Sequence, residues 1–315
     1  MNLPRVGLDL PEKVSARAAL DAIRRAETRG VPMLWSTTTP QVPDTLTLFA
    51  AAAISTERIG LGTAVVPTYP RHPTVVATQV LALDQLAPGR LRLGVGPSHR
   101  PTIEGALGIP MDHPLDHLRE YVTVLRALLN DGTVDFEGAY FRVRSKLVAP
   151  APVPIYISAL RVGAFRLAGE VADGAISWLC PLPYLQQTAI PAMHAAAAHA
   201  GRAAPRMIAH VPVAMIADPE QARELGRRRI RGYARMPFYA RMFADAGYPV
   251  EADGSMPDEL LDHLVIAGDD VAVRERLAAA LANGIDELLV MLIPGDDPAG
   301  EEERLSAILA GLAND

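Results

Sequence analysis

Apolar runs of strand length alternate with helix-length patterns from one end of this chain to the other, and that alternation limits the folds open to it. Val6–Leu10, Pro32–Ser36, Ile59–Val66, Leu91–Gly96, Ile155–Ser158, Gly174–Leu179, Ile208–Ile216 and Leu288–Ile293 read as eight strands. Helical patterns lie among them at Ser15–Arg29, Asp44–Ile54, Pro73–Leu86, His113–Leu129, Val162–Val171, Tyr184–Ala200, a long region from Pro219, and Val271–Asn283. Strands that are apolar on both faces need cover on both sides, as in a parallel sheet built from βαβ units. Eight such units predict a closed (β/α)8 TIM barrel in preference to an open doubly wound sheet. With 315 residues, half of them apolar, the chain suffices for one such barrel, and a single domain over 1–315 is expected.

Two intervals break the rhythm. Gly132–Arg144 reads as a hairpin excursion, TVDFEG then AYFRV around a glycine-containing turn. Residues 219–264 are far longer than a crossover requires, and long segments of this kind in compact domains are usually functional. Arg223, Arg227, Arg231 and Arg235 recur there every four residues and share a helical face. That face is either an ordinary solvated one or the wall of a basic channel. Tyr233, Phe238, Tyr239, Phe243 and Tyr248 are interleaved with it, which suggests a lid over an apolar pocket.

A net charge of −6 argues against general nucleic-acid affinity, which needs a basic surface. Cys180 is the only cysteine, so no intramolecular disulfide forms and a reducing compartment is expected. The opening MNLPRVGLDLPEK reaches acidic residues too early for a signal peptide, and no run of 18 apolar residues exists. The expectation is a cytoplasmic protein without membrane association. No HExxH, paired CxxC or other cluster at ligand spacing suggests a metal.

Candidate chemistry gathers at strand ends. Gly62-Thr63-Ala64-Val65-Val66-Pro67 puts small residues where a buried strand normally carries bulk, as a bulge or a flat ligand against the backbone requires. Tight packing against a helix is the plainer alternative. The strand at Leu91–Gly96 ends in Pro97-Ser98-His99-Arg100, at the edge where α/β proteins do chemistry. Ala159, Leu160, Arg161 and Val162 open a helix whose N-terminal amides and positive potential suit a phosphate. Ser98 and His99 would complete that anion site, with Arg161 adding a charge-assisted bond. His72, in a loop, reads as a hydrogen-bonding staple. Trp35, Thr37, Thr38, Tyr69, Trp178, Phe238 and Tyr239 are the expected substrate-pocket residues.

LGTAVVPTYPRHP followed by LDQLAPGRLRLGVGPSHRP resembles the luciferase-like flavin and deazaflavin oxidoreductases, most of all the actinobacterial branch that uses coenzyme F420. FEGAYFRV, ISALRVGAFRLAGEVADGAISW and IAGDDVAVRERLAAALANGIDELLV extend the likeness along most of the chain. The resemblance implies a luciferase-like barrel and a cis peptide at Ala64–Val65 supporting the deazaflavin, with Thr63 beside it. It also implies a homodimer through the helices after strands two and three. His99 matches a proton-donating carboxylate of sugar-phosphate members, so it is the candidate catalytic residue, although a share in the phosphate site is favoured. Thr37–Thr39 replace an acid–histidine pair, so the chemistry of members with that pair is not carried over. Arg161 stands where the family often has glycine. The implied activity is F420-dependent hydride transfer to or from a small, moderately apolar organic substrate. FMN-dependent monooxygenation is the alternative, and a non-catalytic ligand-binding barrel the second. A basic channel along the arginine face would suit the polyglutamate tail of F420.

Overall fold

The computed structural model describes residues 4–11 and 14–314; residues 1–3, 12, 13 and 315 lie outside them, so the signal-peptide reading of the opening segment falls partly outside the described residues. Eight parallel strands close on themselves: β1 (Val6–Asp9), β2 (Met33–Ser36), β3 (Gly60–Thr63), β5 (Leu91–Gly96), β8 (Ile155–Ser158), β9 (Gly174–Ser177), β10 (Arg206–Ala214) and β12 (Glu287–Leu292). β12 pairs back onto β1, with Gly7 opposite Leu289, so the predicted barrel is complete. The short β4 (Val66–Pro67) extends the third strand beside β5, and β11 (Ile266–Ala267) pairs with the end of β10.

The outer helices are α1 (Ala16–Thr28), α2 (Thr45–Ser55), α3 (Pro73–Leu86), α4 (Pro114–Arg126), α5 (Val162–Val171), the short α6 (Leu182–Tyr184) with α7 (Ile190–His199), α11 (Asp270–Ala282) and α12 (Pro298–Asn314). The sequence patterns located all but α6 and α12. α12 follows the last strand and completes the ring, turning Leu305, Ile308, Leu309 and Leu312 inward as one stripe. α1 shows why the others form. Ser15 accepts from the Ala18 amide at the N-cap, and Ala19, Ala22, Ile23 and Ala26 turn one stripe inward. The apolar strand faces beneath these helices form one continuous buried core with them.

A second core fills the barrel itself. Met33, Trp35, Ala64, Tyr156, Ile176, Ile208 and Leu289 project inward and pack together. Trp35 is fully buried and lies so close over Gly7 and Gly62 that neither position has room for a Cβ. Its Nε1 donates to Glu287 Oε1 at 3.2 Å. Glu287, also fully buried, pairs with Arg92 and lies 3.8 Å from Arg206. Burial pushes the Glu287 carboxyl upward while the two arginines pull it back.

The hairpin is β6 (Thr133–Glu137) with β7 (Arg142–Lys146), a separate two-stranded sheet. Glu120 on α4 holds its turn by accepting from the amides of Ala139, Tyr140 and Phe141. The insertion after β10 folds into α8 (Pro219–Ala234), α9 (Pro237–Asp245) and α10 (Asp258–Leu264). Among the described residues, no helix is long and apolar enough to cross a membrane.

Candidate functional site

The small-residue strand end is a backbone device. Thr63 Oγ1 donates to the Gly94 carbonyl and accepts from the Gly94 amide, each at 2.8 Å, so its side chain is spent pinning β3 to β5. This corrects the expectation that Thr63 faces a cofactor. The next peptide, Ala64–Val65, is cis. The Ala64 amide donates to Ser36, and Thr37 Oγ1 donates to the Ala64 carbonyl at 3.1 Å. Ala64 and Val66 are buried, whereas Val65 is half-buried and is what this segment offers to the barrel mouth. Thr38 Oγ1 is buried and finds no partner among the described residues. Two of the three threonines after β2 therefore divide the work: Thr37 holds the Ala64 carbonyl, and Thr38 keeps a free hydroxyl.

Two strand ends at the same edge carry left-handed residues other than glycine, Ser98 (φ 63°) and Leu179 (φ 52°). Such backbone is uncommon and concentrates at functional sites. After Ser98 the chain enters an unforeseen π-helical turn, Pro101–Ala106. His99 lies beneath α9: the Phe238 ring stacks on it at 4.8 Å and 18°, and Tyr239 meets its edge at 6.0 Å. Burial lowers the His99 pKa, so the ring is neutral near neutral pH.

On the adjacent strand, Ser158 ends β8 and Ala159 and Leu160 lead to Arg161, which occupies the N-cap of α5 ahead of Val162. Arg161 pairs through Nε with Asp245 Oδ2 at the end of α9, a bond that raises its pKa. One helix of the insertion therefore engages both His99 and Arg161. Beyond β9, Trp178 is half-buried and lies face to face with His210 of β10, ring centroids 3.6 Å apart. From α8, Arg229 reaches Met291 Sδ at 3.2 Å. Asp9, 8% exposed, ends β1.

Several expected site residues do other work. Trp35 plugs the barrel interior and is no pocket wall, because it is fully buried and anchored to Glu287. Tyr239 is 2% exposed, packed among Tyr233, Phe238 and Phe243 and continuous with the main core. Tyr69 stacks on His117 at 4.1 Å and donates to the Asp112 carbonyl, so it belongs to the aromatic cluster under the hairpin. The arginine face is no channel. Arg223 makes two 2.8 Å bonds to Asp262, Arg227 pairs with Asp258, Arg231 lies 3.8 Å from Asp253, and Arg235 donates to the Asp253 carbonyl. Those bonds clamp α8 to α10 and the loop before it. His72 caps α3, as its staple reading requires. Sequence reasoning passed over His210, whose only signal was one polar ring in the apolar run IAHVPVAMI. No group of metal-ligating side chains occurs among the described residues.

A family model described as luciferase-like monooxygenase matches residues 1–287. An F420-dependent glucose-6-phosphate dehydrogenase of Beutenbergia cavernae is 31% identical over 265 residues, covering 81% of this chain and 79% of that one. The coenzyme F420-dependent tetrahydromethanopterin reductase of Methanopyrus kandleri superposes with a TM-score of 0.78 at 21% identity, covering 98% and 97% of the two chains. The oxygenating constituent of 3,6-diketocamphane monooxygenase from Pseudomonas putida, in complex with FMN, superposes at 0.74 with 19% identity and 98% of each chain covered. At those identities the superpositions speak for the fold alone.

Proposed function

The chain belongs to the luciferase-like monooxygenase family, and from that footing we propose that it is a coenzyme F420-dependent oxidoreductase acting on a small, moderately apolar organic molecule. The observation that carries the cofactor is the sequence shared over four fifths of the chain with an F420-dependent dehydrogenase. The residues present fit a flat ring. Val65 and the backbone on either side of it offer an apolar platform, and the unpartnered Thr38 hydroxyl supplies a hydrogen bond. Ser98, His99 and the α5 N-terminus from Ala159 to Val162, with Arg161, are the candidate anion site for the coenzyme's phosphate.

When bound, the deazaflavin supplies hydride chemistry; the protein supplies orientation and exclusion of water. Phe238, stacked on His99, and Trp178, stacked on His210, are half-buried aromatic faces, which supports a moderately apolar substrate. His99, neutral and stacked under Phe238, is better suited to binding than to standing as a charged proton donor. The outer faces of α2 and α3 carry exposed Ile54 (73%), Val75 (49%) and Leu86 (48%), which supports a homodimer through these helices. The lone buried Cys180 fits a reducing cytoplasm, and one catalytic domain over 1–315 is the accompanying reading.

Fluorescence titration of the apoprotein with F420 and with FMN tests the cofactor. Tighter F420 binding is expected. Equal or stronger FMN binding would move the assignment to a flavin monooxygenase, and binding of neither would favour a non-catalytic barrel.

A further inference from the structure

We infer that His210 is a substrate-binding residue that hydrogen-bonds the oxygen of a bound ketone or alcohol inside the barrel beside Trp178. This rests on the oxidoreductase reading above and adds the substrate class. His210 sits midway along β10 with Ile208, Ala209, Val211 and Val213, all buried. Its register partner is Leu289, a member of the inner core, so the imidazole points into the barrel and not toward the helices. The residue is 2% exposed, and neither ring nitrogen has a partner among the described residues. A buried polar ring left unpartnered costs stability, whereas phenylalanine would occupy similar space without that cost. Histidine at this position is therefore poorly explained by packing and well explained by a ligand.

The surroundings define what that ligand is. Burial and the nearby Arg229 guanidinium both oppose a second proton, holding the His210 pKa down to about 3. The ring is consequently neutral, with one N–H donor and one acceptor nitrogen. Such a ring donates to a carbonyl and, with the tautomer exchanged, accepts from a hydroxyl. Those are the two oxidation states that hydride transfer interconverts. The Trp178 face, stacked against the same imidazole at 18°, provides an apolar wall next to the polar contact. With so low a pKa, His210 orients the substrate and is neither its acid nor its base.

Cyclohexanone and cyclohexanol serve as probes against protein labelled with 15N at histidine. The His210 ring resonances, assigned with His210→Gln, are expected to shift with both probes, in opposite senses for the ketone and the alcohol. His210→Phe is expected to weaken cyclohexanone binding, read from tryptophan fluorescence, by about tenfold or more. Its melting temperature should be unchanged or higher, and His210→Gln should recover part of the affinity. An ordered internal water as the true partner would leave affinity intact in His210→Phe, and that result overturns the inference. So does a silent His210 ring with both probes, whether or not Trp178 responds. Tight F420 binding by the wild type alongside a silent His210 refutes this inference alone; failure to bind F420 refutes the reading beneath it.

Discussion

Replacing Arg92 with methionine removes one half of the ion pair buried inside the barrel. Arg92 is 3% exposed and Glu287 fully buried, so water cannot take the arginine's place. Glu287 would keep the Trp35 indole at 3.2 Å and Arg206 at 3.8 Å, a partial compensation only. Breaking a buried pair from one side costs about 3–5 kcal/mol, and the surviving arginine sets the expectation at about 3 kcal/mol. That is a large fraction of the roughly 5–15 kcal/mol that holds a typical domain. The loss should also depend on pH. Burial already raises the Glu287 carboxyl and Arg92 opposes it, so without Arg92 the folded variant holds a proton that the unfolded chain has released. A group raised in the folded state adds stability as pH falls. The wild-type carboxyl, raised to about 7, takes up its own proton below that pH, so the deficit should shrink as pH falls from about 9 toward 7, by at most about 1.4 kcal/mol per unit, and level off below. Urea unfolding followed by tryptophan fluorescence at several pH values measures both effects. A deficit under about 1 kcal/mol, or one that is flat with pH, would refute the account of this pair.

Gly62→Ala drives a Cβ into Trp35 Cε3, and the indole is tethered to Glu287. The expected cost is about 1–3 kcal/mol in urea unfolding, with partial recovery in Gly62→Ala/Trp35→Leu; an undiminished midpoint would mean the ring has room to move. His117, packed among Tyr69, Tyr121, Tyr140 and Phe141, is pushed down to about 4 by burial. A histidine depressed in the folded state contributes stability that is lost as pH falls from its unfolded value toward its folded one. Between about pH 7 and 4.5, His117→Phe should lose about 2 kcal/mol less than the wild type, read by the same unfolding assay. Equal losses would place the acid sensitivity elsewhere.

By itself the sequence determined the architecture, because alternating patterns report the local need for cover. Strands apolar on both faces required helices outside and a filled interior within, and Leu91–Gly96, Ile155–Ser158, Pro73–Leu86 and Val162–Val171 fall where the patterns put them. The Gly62–Pro67 run also betrayed its unusual backbone, since small residues in a buried strand answer to a local geometric demand. Which side chains remain free for a ligand was decided only in three dimensions. Trp35 and Thr63 sit at strand ends as site residues do, yet Glu287 and Gly94, far away in sequence, occupy their polar atoms. The arginines of α8 share a helical face, but the carboxylates that consume their charge come from α10 and the loop before it. His210 is the converse. Nothing in its neighbours along the chain marks it, and only barrel closure, which sets β10 beside β9 and β12, leaves its ring buried against Trp178 without a partner. Periodicity fixes which way a side chain faces, whereas a hydrogen-bond partner is a long-range contact and becomes known only when the chain closes.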